Sequence, residues 1–185
     1  MNVPIRRLWP FDLPALARHL MRLDEETRQL RFGASVSDAF LKGHAKEAIC
    51  GKGWVYAVFE AGEIVASVEL RPIMHEGVRM AEIAFAVEAP HQHRGLGSAL
   101  MDRVLLAARN RLLFHVCMIC LPKNLAVRQL AQKFGARVHI SEGEIIGELA
   151  PTAPSPFSVA EENLLDATAF VRTLFDRQLE LLRPA

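Results

Sequence analysis

The chain has 185 residues, 51% of them hydrophobic and 23% charged, with 22 Lys and Arg against 21 Asp and Glu. That length suits one domain with a substantial core, and the composition belongs to a globular chain, neither disordered nor fibrous. The charge balance leaves no footprint for nucleic acid. The densest apolar run, near Leu112–Leu121, is too short to span a membrane. Met1–Phe11 lacks a signal-peptide core, so a cytoplasmic location is expected.

A strand is predicted at Val3–Leu8, with Pro4 marking an edge. Asp12 then caps a helix that has Pro14 in its first turn and Leu16, Leu20 and Leu23 at helical spacing. Asp24 and Ser37 open two further helical stretches running toward Cys50. Trp54–Phe59 reads as a strand, Ala61-Gly62 as a tight turn and Glu63–Arg71 as the hairpin partner. Pro72–Gly77 reads as a second turn, leading into a strand at Arg79–Val87.

The pattern then changes. Pro90–Gly97 forms a polar, glycine-bearing turn before a helix with Leu96, Leu100, Val104 and Leu105 on one face. Phe114–Leu121 is a strand, and Asn124–Phe134 a helix ended by Gly135. Val138–Ile140 and Glu144–Leu149 flank Gly143 as a closing hairpin. Pro151, Pro154 and Pro156 mark a linker at 151–157, after a domain at 1–150. Ser158 and Glu161 form a capping box for a long amphipathic helix, 158–185, reaching Leu182. Its stripe of Leu164, Val171, Leu174, Phe175 and Leu182 needs covering, by its own domain or by a second copy in a homodimer. The fold class is α+β: a mixed, mostly antiparallel sheet flanked by helices, with one strand–turn–helix–strand crossover and an added C-terminal helix.

Three cysteines make no disulfide framework. Cys117 and Cys120 lie three apart on a predicted strand, hence on opposite faces, and cannot share a metal. His91 and His93 lack a third ligand at a suitable spacing and read as loop histidines, so no metal site is expected.

Chemistry concentrates in Gln92-His93-Arg94-Gly95-Leu96-Gly97, between a strand and a helix. The first amides of a helix have no intrahelical acceptor, and the helix dipole places positive charge there. Gly95 and Gly97 clear side chains from the place where a phosphate would approach the backbone. Arg94, and Arg103 further along, carry guanidiniums that would add contacts. A dinucleotide fingerprint would need a small residue at Leu100 and an acidic residue near the end of the next strand; neither is present. A Gly-Lys-Ser/Thr phosphate loop is absent too.

Gln92-x-x-Gly95-x-Gly97, placed after a strand and opening a helix, resembles the acyl-CoA pyrophosphate motif of the GNAT superfamily of N-acyltransferases. The likeness extends over residues 3 to 149 in element order and includes Asn124 opening the later helix, with Leu130, Lys133 and Gly135 at the family's spacing. It implies acetyl-CoA as co-substrate and a fold whose strands at Arg79–Val87 and Phe114–Leu121 splay apart to admit the pantetheine arm. Cofactor contacts then fall to Phe85, Ala86, Val87, Gln92, His93, Arg94, Gly95, Leu96, Gly97, Ser98 and Asn124. The stretch from Ile5 to Phe32 is more loosely similar to the acetyltransferase domains of bacterial protein-lysine acetyltransferases. The implied acceptor is an amine, on a protein lysine or a small molecule, attacking directly in a ternary complex.

Two positions depart from the family pattern. The tyrosine that often protonates the departing thiolate is replaced by Ala131, and the common aromatic at 136 by Ala136. The chain's one tyrosine is Tyr56. The alternative to an enzyme is therefore a non-catalytic acyl-CoA-binding module. For a base, Glu82 lies among Ala81, Ile83, Ala84 and Phe85, where an apolar setting would raise its pKa toward the working range. The family also positions a glutamate base on this strand. Glu69 is the reserve candidate.

Overall fold

A computed structural model describes residues 5–75 and 78–181. Strand β1 (Ile5–Arg7) and a 3-10 turn (Pro10–Asp12) precede three helices, α1 (Leu13–Arg22), α2 (Glu25–Phe32) and α3 (Asp38–Cys50). Then come β2 (Trp54–Glu60), β3 (Glu63–His75), β4 (Val78–Val87), α4 (Leu96–Asn110), β5 (Val116–Cys120), α5 (Leu125–Lys133), β6 (Arg137–Ser141), β7 (Glu144–Leu149) and α6 (Pro156–Leu181). The start of the first predicted strand, Val3 and Pro4, lies outside the described residues.

Local chemistry accounts for most element ends. Asp24 accepts the Thr27 amide at the start of α2, and Ser37 the Phe40 amide at the start of α3. Gly33 ends α2 in a left-handed conformation with φ 75°. The Ala61-Gly62 and Glu142-Gly143 turns both have positive φ, the twist that two-residue hairpins require.

Seven strands form one sheet in the order β1-β2-β3-β4-β5-β7-β6. Among the described residues only β4 and β5 run parallel, joined by the α4 crossover. On one face α1 and α3 bury Leu16, Leu20, Leu41 and Ala45 against Val55, Ala57 and Ala86. On the other, α4 buries Leu100, Met101 and Val104 against Tyr56, Val68, Leu70 and Ile83. Burial of a large apolar side chain contributes about 1.5–3 kcal/mol, so these two layers hold the sheet that positions the site.

Four local expectations are corrected. The turn expected at Pro72–Gly77 is mostly strand: β3 runs on to His75, with Pro72 opposite Ala81, and Gly77 falls outside the described residues. Pro72 is tolerated because β2 starts opposite Leu70, so beyond that point β3 has no β2 neighbour to bond. Asp12 does not cap α1. Its carboxylate accepts both Arg6 guanidinium nitrogens, at 2.8 and 3.0 Å, and the Trp9 amide at 2.9 Å. The final helix starts at Pro156, two residues before its expected cap, Ser158. Ser155 and Ser158 exchange amide-to-hydroxyl bonds of 2.9 and 3.1 Å, and Pro156 takes the first helical position.

Of the two coverings expected for the α6 stripe, its own domain does not supply one at the residues described. Leu164 is 65% and Val171 50% exposed; the side chains of Leu174, Phe175 and Leu182 lie outside the description. The inward face is polar over Ser158, Glu162 and Asp166, spaced by four, and the next residue in that row, Phe170, meets the Trp9 ring edge-on at 6.3 Å. Glu162 accepts Asn110 at 2.9 Å and Arg111 at 2.6 Å, and Asp166 accepts Arg103 at 2.5 Å. Buried guanidiniums need nearby counter-charges, and α6 supplies them.

Candidate active site

The turn after β4 is held from three sides. Glu88 accepts His19 Nδ1 at 2.8 Å and Arg22 Nη2 at 2.9 Å, tying the turn to α1. Burial pushes the Glu88 carboxyl up, but the His19 and Arg22 contacts outweigh it and hold it below its ordinary value. The Gln92 side-chain amide donates to the Val87 carbonyl at 3.1 Å and to Thr27 Oγ1 at 3.3 Å. His93 and Gly95 are both left-handed, with φ 58° and 79°, which reverses the chain so that α4 begins at Leu96. The outermost amides of α4 therefore point out of the helix end, where an anion is favoured.

Beside this turn the sheet opens. β4 and β5 pair only at Ala81–Val116 and Glu82–Cys117. Past that point β4 stays bonded to β3 as far as Val87, and β5 to β7 as far as Cys120, so the two strands diverge. The wedge is one end of a cavity of about 370 Å³, within the range of small-molecule sites. Its walls come from β4 and β5, from Thr27, Leu30 and Arg31 of α2, and from Val127, Leu130 and Lys133 of α5.

Phe85, Val87, Gln92, His93, Gly95, Leu96, Gly97, Ser98 and Asn124 all line this cavity. Asn124 also caps α5 by accepting the Val127 amide at 3.2 Å. Three expected contacts are not brought there by their side chains. Ala86 alternates to the other face of β4 and packs in the α1–α3 core. Arg94 turns to His91 at 2.9 Å and to Glu60 at 3.3 Å, an available carboxylate on the β2–β3 hairpin. Arg103 lies beneath α6, 4.3 Å from the centre of the Tyr56 ring. The α2 residues were not legible in sequence, because nothing local marks which face of that polar helix meets the sheet.

The two candidate bases sit on the α2–α3 face of the sheet. Glu82 lines the cavity at the last β4–β5 pair. The apolar setting expected for it is not found: Arg71, directly opposite on β3, donates to Glu82 Oε2 at 2.5 Å. Glu69 is buried, with Arg31 at 2.9 Å and His44 Nε2 at 2.9 and 3.1 Å from its two oxygens. Burial alone would raise its pKa, but the Arg31 charge and the His44 bond overcome that and hold it at about 2. Glu69 lines the smaller pocket beside the cavity and not the cavity itself, so it stays in reserve behind Glu82.

This arrangement sets an acid-stability prediction. The folded pKa of Glu69, about 2, lies below its unfolded value of roughly 4.3. The stability it contributes is therefore complete above that unfolded value and lost as pH falls toward 2. Glu69→Gln leaves the Arg31 guanidinium without its counter-charge and should cost about 3–5 kcal/mol at pH 7. The gap from the parent should narrow between pH 5 and 2. Urea denaturation across that range tests it, and equal stability at pH 7 would refute it.

Residues 17–136 match the family model for acetyltransferase (GNAT). The chain belongs to the GNAT family. Among solved structures it is similar to the GNAT domain of S. lividans PAT, at 22% identity and a TM-score of 0.70, over 79% of this chain and 89% of that one. It is also similar to yncA, a putative acetyltransferase from Salmonella typhimurium with its cofactor acetyl-CoA (17% identity, TM-score 0.62, 84% and 99% covered). The PaiA N-acetyltransferase from Thermoplasma acidophilum, in complex with coenzyme A, aligns at 15% identity with a TM-score of 0.59, over 81% and 99%. These identities speak to the shared fold. A search of curated proteins found no match.

In this GNAT chain the matched stretch runs from α1 to the end of α5, and α6 lies beyond it. Ala131 is buried in the core; a Cβ added at Gly147 of β7 would lie 3.1 Å from the Ala131 Cβ. The small pair lets α5 approach β7 closely. Tyr56 offers no substitute acid. Burial pushes its pKa to about 12, and its hydroxyl donates to Glu162 under α6, at 3.4 Å.

Proposed function

We propose that this chain is an acyl-CoA-dependent N-acetyltransferase, moving an acetyl group from acetyl-CoA to an amine. The observation that carries the reading is the β4–β5 wedge continuing into the N-terminal end of α4. The residues suit the ligand. An added Cβ at Gly97 would meet only Leu130 Cδ2 at 3.6 Å, so the backbone there is open to a phosphate. The divergent edges of β4 and β5 offer peptide groups to the pantetheine arm, and Phe85 and Leu130 offer apolar walls.

Acetyl-CoA supplies an acyl group on a thioester, poised for attack by a neutral amine. The chain's own task is then to orient that amine and to take its proton. Glu82, at the apex of the wedge, is assigned as the proton acceptor, directly or through one water. As the N–C bond forms, the C–S bond breaks and CoA leaves as thiolate; solvent protonates it, since no tyrosine stands at position 131.

A second reading, a non-catalytic acyl-CoA-binding module, draws on that missing tyrosine. A thermal-shift series with acetyl-CoA, longer acyl-CoAs, NAD and ATP tests the ligand, because a ligand of the native state raises stability by mass action. Release of free CoA with a mixture of amines tests the enzyme. Stabilisation by acetyl-CoA without release would favour the module, and stabilisation by NAD or ATP alone would defeat both.

A further inference from the structure

Beside the main cavity lies a smaller polar pocket of about 30 Å³, large enough for a water molecule or one polar group. Arg31, Glu82 and Ala84 line both. A guanidinium and a carboxylate thus meet at the junction, near the wedge apex where the reacting amine is placed.

Arg31 is the guanidinium at that junction. Its side chain is only 10% exposed, and Glu69 takes one terminal nitrogen at 2.9 Å. Its Nε is buried with no hydrogen-bond partner. A guanidinium presents five N–H donors in a planar fork suited to a carboxylate. Arg31 lines the cavity, and its contact with Glu69 engages one terminal nitrogen, so the fork has donors beyond that ion pair to offer a ligand acceptor.

The charge balance narrows the ligand further. Arg31 is offset by Glu69, and Arg71 by Glu82. A simple monoamine would bring an uncompensated cation into this half-buried place. An acceptor carrying both an ammonium and a carboxylate enters with no net charge, its amine toward Glu82 and its carboxylate toward Arg31.

We infer that Arg31 is a carboxylate-recognition residue and that the acceptor is an amino acid or another small amine bearing a nearby carboxylate. The inference rests on the transferase reading above and names its substrate class.

The test is steady-state CoA release from acetyl-CoA with α-amino acids, β-alanine and γ-aminobutyrate, each against its own carboxamide. For at least one pair the wild-type protein should favour the acid over the amide by about 10- to 100-fold in kcat/KM, the span of one charge-assisted contact. In Arg31→Gln that ratio should collapse toward one. A purely structural Arg31 would lower both members of a pair alike and keep the ratio. Should Arg31→Gln not fold, the acid-to-amide ratio of the wild-type protein still decides.

Carboxamides used as well as acids would overturn this inference and leave the transferase reading standing. No CoA release from any acid or amide, with release from the mixed amines, would overturn this inference alone; no release from either would overturn both. A wild-type preference for succinyl-CoA over acetyl-CoA, erased in Arg31→Gln, would place the carboxylate on the acyl group and overturn the acceptor assignment.

Discussion

Gly97→Glu is expected to abolish measurable acetyl-CoA binding in a protein that still folds. Gly97 sits in the first turn of α4 and lines the cavity. Its backbone is outside the left-handed region, and an added Cβ makes one ordinary contact, 3.6 Å from a Leu130 methyl carbon. Local strain is therefore small. Gly95 would be a poor test by comparison, because its φ of 79° strains any other residue. A glutamate at 97 places a carboxylate among the helix-end amides, where the pyrophosphate would lie. Like charges brought together at an interface cost several kcal/mol, so affinity should drop by about 100-fold or more. Gly97→Ala, which adds only the methyl, should fall far less. Calorimetric titration with acetyl-CoA reads both, with circular dichroism confirming the fold. A folded glutamate variant with parental affinity would move the pyrophosphate elsewhere.

Glu82→Gln should lower turnover by about 100-fold or more, with acetyl-CoA affinity nearly unchanged. The substitution keeps the side chain's shape and can still accept a hydrogen bond from Arg71, so the β3–β4 pairing should survive. What it removes is the capacity to take a proton at the wedge apex. An alkylamine acceptor arrives mostly protonated, and only its neutral form attacks the thioester. The deficit should therefore shrink as pH rises and more of the amine arrives neutral. A pH profile of CoA release distinguishes this from a general loss of packing, which would lower activity at every pH. Full activity at neutral pH would exclude Glu82. Glu69, on the neighbouring strand, would then be the next to test.

The features legible in sequence are those that short-range physics decides. Helix caps at Asp24 and Ser37 and the two positive-φ hairpins depend on residues within a few positions of each other. The Gln92–Gly97 turn belongs with them: two glycines, a preceding strand and a following helix are enough to define a helix end open to phosphate. Ser155 was overlooked because Ser158 with Glu161 gave a capping box of equal local quality. Only the proline between the two serines separates the alternatives.

Tertiary structure alone decided which charges meet. Arg31, His44, Glu69 and Glu82 come from four elements, and no spacing along the chain links them. It turned Arg94 away from the cavity to Glu60, and it buried Arg103 beneath α6. It also set the inward face of α6 through Glu162 and Asp166, leaving Leu164 to solvent. Hydrophobic periodicity shows which residues want to leave water, but a buried cation raises a stronger demand for a counter-charge nearby. Where that partner lies far along the chain, as Glu69 does for Arg31, folding brings it into place and local sequence carries no sign of it.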